Sequence, residues 1–428
     1  MREFSHDGSA GDIIYHITAV KMLGGGTFWI YPSHIENYRM NRRYAETLMT
    51  LLRVQPYLKS VGWNEHAQGT DLGHWRHNYK YRFNLSDMCH SWLGLHHMHR
   101  YDPWLTVPDV KRIAPVVINR CPRWRNDHFP WQRVYDAYGR DAVFVGHTQE
   151  HAEFCHNWGP ISYHHTRDFL ELAQVIAGAD LFVGNQSSAA SVAEGLKMPM
   201  IQETLPMDSW WSNCHWERDE KIHGTDGNAE LPPLSDLRER WAGSRAKASV
   251  GNSLLTEDRL RALAHAVRSV EYLPGDMAEI GVAKGGAARV IASVCPRKTL
   301  HLFDTFTGLP TDETLAGHHV QGEFATAVAD VQTFLAGHKT EFHVGVFPET
   351  AKVLTDRRYS FVHVDGDLYE TTAAAIAYFW PRMVQGGIMI FDDFGSSHCP
   401  GVAKAIDEAG LLSACVVKTG NQAMLTKG

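Results

Sequence analysis

No stretch of this chain approaches the roughly 18 uninterrupted apolar residues that a membrane-crossing helix needs. Its start, "MREFSHDGSAGD", has neither a basic head nor a continuous apolar run. The expectation is a protein without signal peptide or membrane span, working in the cytoplasm. Positive charge is not in surplus either. The formal net charge of −7 gives no reason to expect nucleic acid or an anionic membrane as partner. The seven cysteines (Cys89, Cys121, Cys155, Cys214, Cys295, Cys399 and Cys415) stand far apart with no C-x-x-C. Free thiols are expected rather than a disulfide framework. Zinc-ligand spacing is missing too, although the chain has 26 histidines. Even "HHMHR", His96 to Arg100, lacks a partner cluster, so solvated or core-packed histidines are expected. No internal repeat or low-complexity tract is evident.

What is present is an ordinary globular composition, 44% hydrophobic and 21% charged over 428 residues, enough for two or three domains. "PVVINR", "DAVFVG" and "DLFVGN" read as short buried strands. "IIYHITAVKML", "DFLELAQVIAGA" and "SSAASVAEGLK" read as helices. The pattern dissolves in "TDGNAELPPLSDLRERWAGSRAKASV", a connector with one short helix. After it come the amphipathic "TEDRLRALAHAVRSVEYL" and strands at "DMAEIG", "TLHLFD", "EFHVGV", "YSFVHVD" and "GGIMIF". "ACVVKT" and "NQAMLT" suggest a closing antiparallel pair. Strand–helix alternation predicts α/β layers around parallel sheets. The expected segments are 1–105, 106–225, a linker over 226–250, and a domain over 251–428.

Chemistry concentrates at the ends of these strands. "MAEIGVAKGGAARVIA" runs from a strand through Gly281, Gly285 and Gly286 into a helix, a turn that lets backbone approach an anionic ligand. A tight structural turn is the plainer alternative. The next strand ends in "LFDTF", which puts Asp304 about twenty residues on, where an acid grips ribose hydroxyls. "HVDGDLYETT" and "GGIMIFDDF" then end two strands in carboxylate pairs, Asp365 with Asp367 and Asp392 with Asp393. Four acids at neighbouring strand ends suit a hard cation; helix capping or a solvated loop is the plainer role.

"GDMAEIGVAKGG", "LFDTFTGLP", "HVDGDLYETT" and "GGIMIFDDF" resemble, in order and at fitting intervals, the macrocin O-methyltransferase family. The resemblance covers about residues 252–428. It implies a class I S-adenosylmethionine (SAM)-dependent methyltransferase domain with a Rossmann-like fold. Glu279, Gly281, Gly285 and Asp304 would bind SAM. Asp365, Asp392 and Asp393 would hold Mg²⁺, leaving Asp367 as general base for a sugar hydroxyl. The family often has tyrosine where this chain ends "FDDF". Vicinal oxygens on Mg²⁺ would equally suit a catechol-type acceptor. "TGLPTDETLAGHHVQGEF", 307–324, suits a lid or an ordinary surface loop, with His318 and His319 near the acceptor but no catalytic role expected of either.

In the N-terminal half, "GSAGDIIYHITAVKML" and "ADLFVGNQSSAASVAEGLKMPMIQE" resemble heptosyltransferase-like glycosyltransferases of the GT-B architecture. That resemblance implies a pair of small α/β lobes over about 1–225. Asp12 would be the base for an acceptor hydroxyl, and Gln186, Ser187 and Ser188 would sit at a nucleotide-sugar diphosphate. Capping of the following helices is the competing role for Asp12 and the two serines. Arg120, Arg123 and Arg125 would face phosphates or a solvated loop. Trp210, Trp211 and Trp216 would stack on sugars or, the favoured reading, pack between domains. The expected whole is a bifunctional glycan-tailoring enzyme using SAM and Mg²⁺, with a sugar or glycan acceptor. The alternative makes the N-terminal half a non-catalytic glycan-binding or assembly module. The sequence allows a homo-oligomer without specifying one.

Overall fold

All six residues of the strand Tyr359–Val364 are buried, as a parallel strand covered on both faces must be. Around it is built the second of two compact units, Met1–Trp241 and Ala242–Gly428. The computed structural model describes residues 2–33, 40–74, 85–95, 103–205, 221–224, 231–247, 249–310, 319–354, 356–417 and 421–428. The "HHMHR" run, Trp210, Trp211, Trp216 and His318 lie outside the described residues.

The first unit is α/β with two parallel sheets. Strands β1 (Glu3–His6), β2 (Gly26–Ile30), β3 (Leu58–Trp63) and β4 (Thr70–Asp71) form a four-stranded sheet in the order β3-β2-β1-β4. Strands β5 (Val116–Asn119), β6 (Ala142–Phe144), β7 (Ser162–Tyr163), β8 (Leu181–Asn185), β9 (Met200–Glu203) and β10 (Lys221–Gly224) form a six-stranded sheet in the order β10-β9-β8-β5-β6-β7. One hydrophobic cluster draws on both, from Phe4 and Ile13 to Val117, Phe182 and Met200. Helix Ala10–Met22 follows β1 and packs on helix Ser188–Gly195 from the other sheet. A Cβ on Gly11 would sit 3.7 Å from Ser191 Oγ. Helix Leu234–Lys247, 14 residues long, fills most of the stretch expected as a connector.

The second unit carries β11 (Asp276–Ile280), β12 (Leu300–Asp304), β13 (Thr340–Val344), β14 (Tyr359–Val364), β15 (Met383–Phe391), β16 (Val416–Val417) and β17 (Ala423–Thr426). Their order is β13-β12-β11-β14-β15-β17-β16. The first five are mutually parallel, and β17 runs antiparallel to β15 and β16. The expected terminal antiparallel pair is therefore present. The order reverses between β11 and β14, and in an open α/β sheet the crevice at the carboxyl ends of those strands is where ligands bind. Gly281, Asp304, Asp365 and Asp392 all stand at such ends. No helix among the described residues is long and apolar enough to cross a membrane.

Candidate active site

At the switch point, β11 and β14 approach so closely that only glycine fits between them. Gly281 has φ +80°, and a Cβ there would lie 1.8 Å from the Asp365 carbonyl oxygen. Gly285, with φ +83°, opens helix Gly286–Val294. Between these glycines the loop is held by Asp304 from the next strand. Its Oδ2 accepts from the N–H groups of Val282 (2.7 Å) and Ala283 (2.9 Å), and its Oδ1 from Phe306 N–H (2.7 Å). Asp304 therefore shapes the loop, while each carboxylate oxygen keeps acceptor capacity for a further donor.

These elements border a cavity of about 320 Å³. One wall carries Gly281, Ala283 and Asp304; another carries Asp365, Asp367 and Asp393. The described ends of the 307–324 segment join the lining through Gly308, His319 and Phe324. These ends are tied together: Leu309 N–H donates to Glu323 O and Gly322 N–H to Leu309 O, both at 2.9 Å.

The acids fall into two overlapping groups. Carboxylate oxygens of Asp365, Asp367 and Asp393 converge within 4.8 Å, as do ligand atoms of His363, Asp365 and Asp392. Asp365 belongs to both. Asp367 and Asp393 hold left-handed backbone conformations, φ +57° and +55°, which aspartate tolerates better than most residues.

Glu279 and Asp392 do not line the cavity; both are buried behind it. Between them lies His363 of β14, whose Nδ1 is 2.9 Å from Glu279 Oε1 and whose Nε2 is 3.6 Å from Asp392 Oδ2. The first is a hydrogen bond; the second is an ion-pair distance only. Glu279 Oε2 is buried with no hydrogen-bond partner among the described residues.

Crowding of charge sets the proton affinities. Loss of solvation and then the Asp392 charge push the Asp365 carboxyl well above the usual range. Loss of solvation, followed by the Asp393 charge, pushes Asp367 up to about 6, against the pull of His319 and Cys399. Burial raises Glu279, opposed by His363. Burial alone would lower His363, but Asp392 and Glu279 overcome it and raise the imidazole to about 10.

Two contributors escaped sequence reasoning. Arg259, in the first turn of helix Glu257–Val270, reaches Asp392 Oδ1 at 2.8 Å and Asp393 Oδ1 at 3.2 Å. Nothing in "TEDRLRAL" sets it apart from an ordinary surface arginine. His363 did leave a signal, an imidazole inside the otherwise uncharged, fully buried "YSFVHV". His319 lies on the cavity wall, paired with Glu323 at 3.0 Å and 3.6 Å from Cys399 Sγ.

In the first unit, Asp12 closes a capping box with Ser9: Ser9 N–H donates to Asp12 Oδ2 (3.3 Å) and Asp12 N–H to Ser9 Oγ (3.4 Å). Ser187 caps helix Ser188–Gly195 and donates to Asn119 Oδ1 at 2.8 Å. Ser188 opens that helix, and Gln186 is buried just before it. Arg120 is neither in a phosphate site nor solvated. Its buried guanidinium makes two 3.0 Å bonds to Glu203, and it lies over the rings of Trp131 and Trp158. Arg125 pairs with Glu153 at 2.9 Å.

A reversing parallel sheet, a glycine loop closed by the acid of the next strand, and clustered carboxylates opposite give the second unit a Rossmann-like α/β fold with a ligand crevice at its switch point. More narrowly, residues 220–413 match the Macrocin-O-methyltransferase (TylF) family. Over 171 residues the chain is 28% identical to the 8-demethyl-8-(2,3-dimethoxy-alpha-L-rhamnosyl)-tetracenomycin-C 4'-O-methyltransferase of Streptomyces olivaceus, covering 35% of this chain and 66% of that protein. It is 27% identical to the demethyldecarbamoylnovobiocin O-methyltransferase of Streptomyces niveus over 154 residues, 32% of this chain and 58% of the relative. The chain thus spans less than two thirds of the length of each. Among solved structures, the O-methyltransferase NovP aligns with 41% of this chain and 82% of its own at 24% identity and a TM-score of 0.37. A glycosyl transferase family 9 protein from Veillonella parvula aligns with 52% of this chain and 85% of its own, at 10% identity and a TM-score of 0.38.

Proposed function

We propose that the second unit transfers a methyl group from SAM to a hydroxyl of a sugar or glycan, in a reaction that depends on Mg²⁺. The observation that carries this is one cavity with the glycine loop and Asp304 on one side and three converging carboxylates on the other. The donor set fits the ion: the converging ligand atoms of Asp365, Asp367 and Asp393 are all carboxylate oxygens, which suit Mg²⁺, while loss of solvation, followed by neighbouring carboxylate charge, raises the proton affinities of Asp365 and Asp367. Asp365 and Asp393 would hold it at the cavity wall, with Asp392, which converges on Asp365 from behind that wall, as the third ligand, and when bound it would supply Lewis acidity for adjacent acceptor oxygens. SAM supplies a methyl group on a sulfonium, which leaves as a neutral thioether. Asp367 takes the hydroxyl proton as the oxygen–methyl bond forms and the carbon–sulfur bond breaks. Asp304 and Gly281 would seat the nucleoside end on the cavity wall, with Gly285 opening the helix behind them, and Phe324 and Phe347 line the same cavity.

The direct test is methyl transfer by the full chain to a panel of nucleotide sugars, glycosides and catechols. Transfer to sugars alone is expected. Transfer only to catechols would replace the acceptor class, and no transfer with bound SAM would remove the reading.

Asp304→Ala is expected to weaken SAM binding at least tenfold, since charge-assisted hydrogen bonds contribute about 1.5–3 kcal/mol each. It should also lower the melting temperature, because loop amides lose their acceptor. Calorimetry giving an unchanged dissociation constant alongside a lowered melting temperature would confine Asp304 to the loop.

For the first unit, the reading is a glycosyltransferase-like module that handles the acceptor glycan. Engagement of Asp12 and Ser187 in caps favours binding over sugar transfer. Turnover of any nucleotide sugar that Asp12→Asn abolishes would restore the catalytic reading, with Gln186, Ser187 and Ser188 at the donor.

A further inference from the structure

The edge of the seven-stranded sheet carries a second set of ligating side chains, none of which lines the cavity. Parallel register sets His301 of β12 beside Glu341 of β13, and Phe303 beside His343. Alternate residues of a strand share a face, so His301, Glu341 and His343 come together. His301 Nδ1 is 3.0 Å from His343 Nε2 and 3.4 Å from Glu341 Oε2. The two imidazoles stack at 5.3 Å, and His343 stacks in turn on Phe303 at 4.6 Å.

The other nitrogen of His301 is committed. Nε2 lies 3.3 Å from Asp276 Oδ2 at the start of β11, and Asp276 is itself held by Arg357 at 3.0 Å. Its ion pair with Arg357 keeps the Asp276 carboxyl an ionised acceptor. An ionised acceptor at Nε2 fixes the proton there and leaves the Nδ1 lone pair facing His343 and Glu341. Metal-ligating histidines are oriented in this way, by a carboxylate on the far nitrogen.

We propose that His301, Glu341 and His343 form a three-ligand site for Zn²⁺, with Asp276 orienting His301. Two imidazole nitrogens and one carboxylate suit zinc and its d-block neighbours rather than Mg²⁺. Nitrogens about 2.0–2.1 Å from a tetrahedral ion stand roughly 3.3 Å apart, a few tenths of an ångström from the separation found. Without the ion, His343 Nε2–H donates to His301 Nδ1; the ion takes the place of that proton, and His343 carries its proton on Nδ1. Glu341 is half exposed, which leaves the remaining coordination position open to water. The site would fasten the edge strand to its neighbour, independently of the chemistry in the cavity.

The experiment titrates Zn²⁺ into the full chain, stripped by chelation and held in excess Mg²⁺ to occupy the carboxylate site. A competing chromophoric chelator reports affinity. Wild type is expected to bind one Zn²⁺ equivalent that His343→Gln lacks. Glu341→Gln, a change at a half-exposed position that leaves the fold intact, should weaken that equivalent by about tenfold. Asp276→Asn should weaken it by about 10–100-fold, the range for an outer-shell partner. Zn²⁺ should raise the melting temperature of wild type but not of His343→Gln, with the two proteins melting together in EDTA. Equal numbers of equivalents with equal affinity in wild type, His343→Gln and Glu341→Gln would overturn the proposal. So would a wild type that takes up no Zn²⁺.

Discussion

Asp367→Asn is expected to lower the turnover of methyl transfer by about a hundredfold or more, the scale set by loss of a positioned proton acceptor. Binding of SAM and of Mg²⁺ should persist. The substitution is nearly isosteric, and asparagine accepts the left-handed backbone that Asp367 adopts at φ +57°. Its amide oxygen can still accept from Cys399 Sγ, 3.6 Å away. What disappears is the capacity to take a proton. Asp365→Asn is the informative contrast, because Asp365 belongs to both converging groups and its loss should weaken the cation first. Rates measured beside Mg²⁺ and SAM titrations separate the two. If Asp367→Asn loses Mg²⁺ while Asp365→Asn keeps it, the roles are reversed.

Removal of the divalent cation is expected to abolish methyl transfer, and Mg²⁺ to restore it, with binding of the SAM product surviving in EDTA. A pH dependence accompanies this. In the metal-free protein Asp367 binds its proton with a pKa of about 6 and Asp365 lies well above its ordinary value, whereas an unfolded aspartate has a pKa of about 3.9. The folded state therefore holds protons that the unfolded state has released. The stability they contribute is complete below about pH 4 and is lost as pH rises through about 6. A cation replaces those protons, and its ligands must be ionised to take it. The rise in melting temperature caused by Mg²⁺ should thus be small at about pH 5 and grow through about 6. Melting curves across that range, with Mg²⁺ and with EDTA, are the measurement. Full activity after exhaustive chelation, or a Mg²⁺ effect independent of pH, would remove the cation from the site.

Much of the second unit was legible because parallel strands buried on both faces are written as short apolar runs, and turns as glycines and acids. "DMAEIG", "TLHLFD", "YSFVHVD" and "GGIMIF" each fall on a strand, and Asp304, Asp365 and Asp392 stand at the carboxyl ends of three of them, as expected. The first unit was less so. "EFSH" is too short and too polar to read as a strand, yet it is β1, inside the four-stranded sheet. Arg120 shows the same gap from the other side. A basic "NRCPRWR" suggested phosphate or solvent, but a glutamate 83 residues away claims the guanidinium.

Local sequence carried the strand ends, the glycine loop, the acidic pairs and the family they resemble, since each depends on residues within one turn or one strand. Partnership between strands belonged to the tertiary structure. Which acids face the cavity and which stand behind it depends on how β11, β14 and β15 lie side by side, so Asp367 and Asp393 line it while Glu279 and Asp392 are joined through His363. The position of Arg259, 133 residues before the carboxylate it meets, and the meeting of His301 with His343 across two strands were settled the same way. Side-chain chemistry at such contacts is fixed by distance in space, and no spacing along the chain encodes that distance.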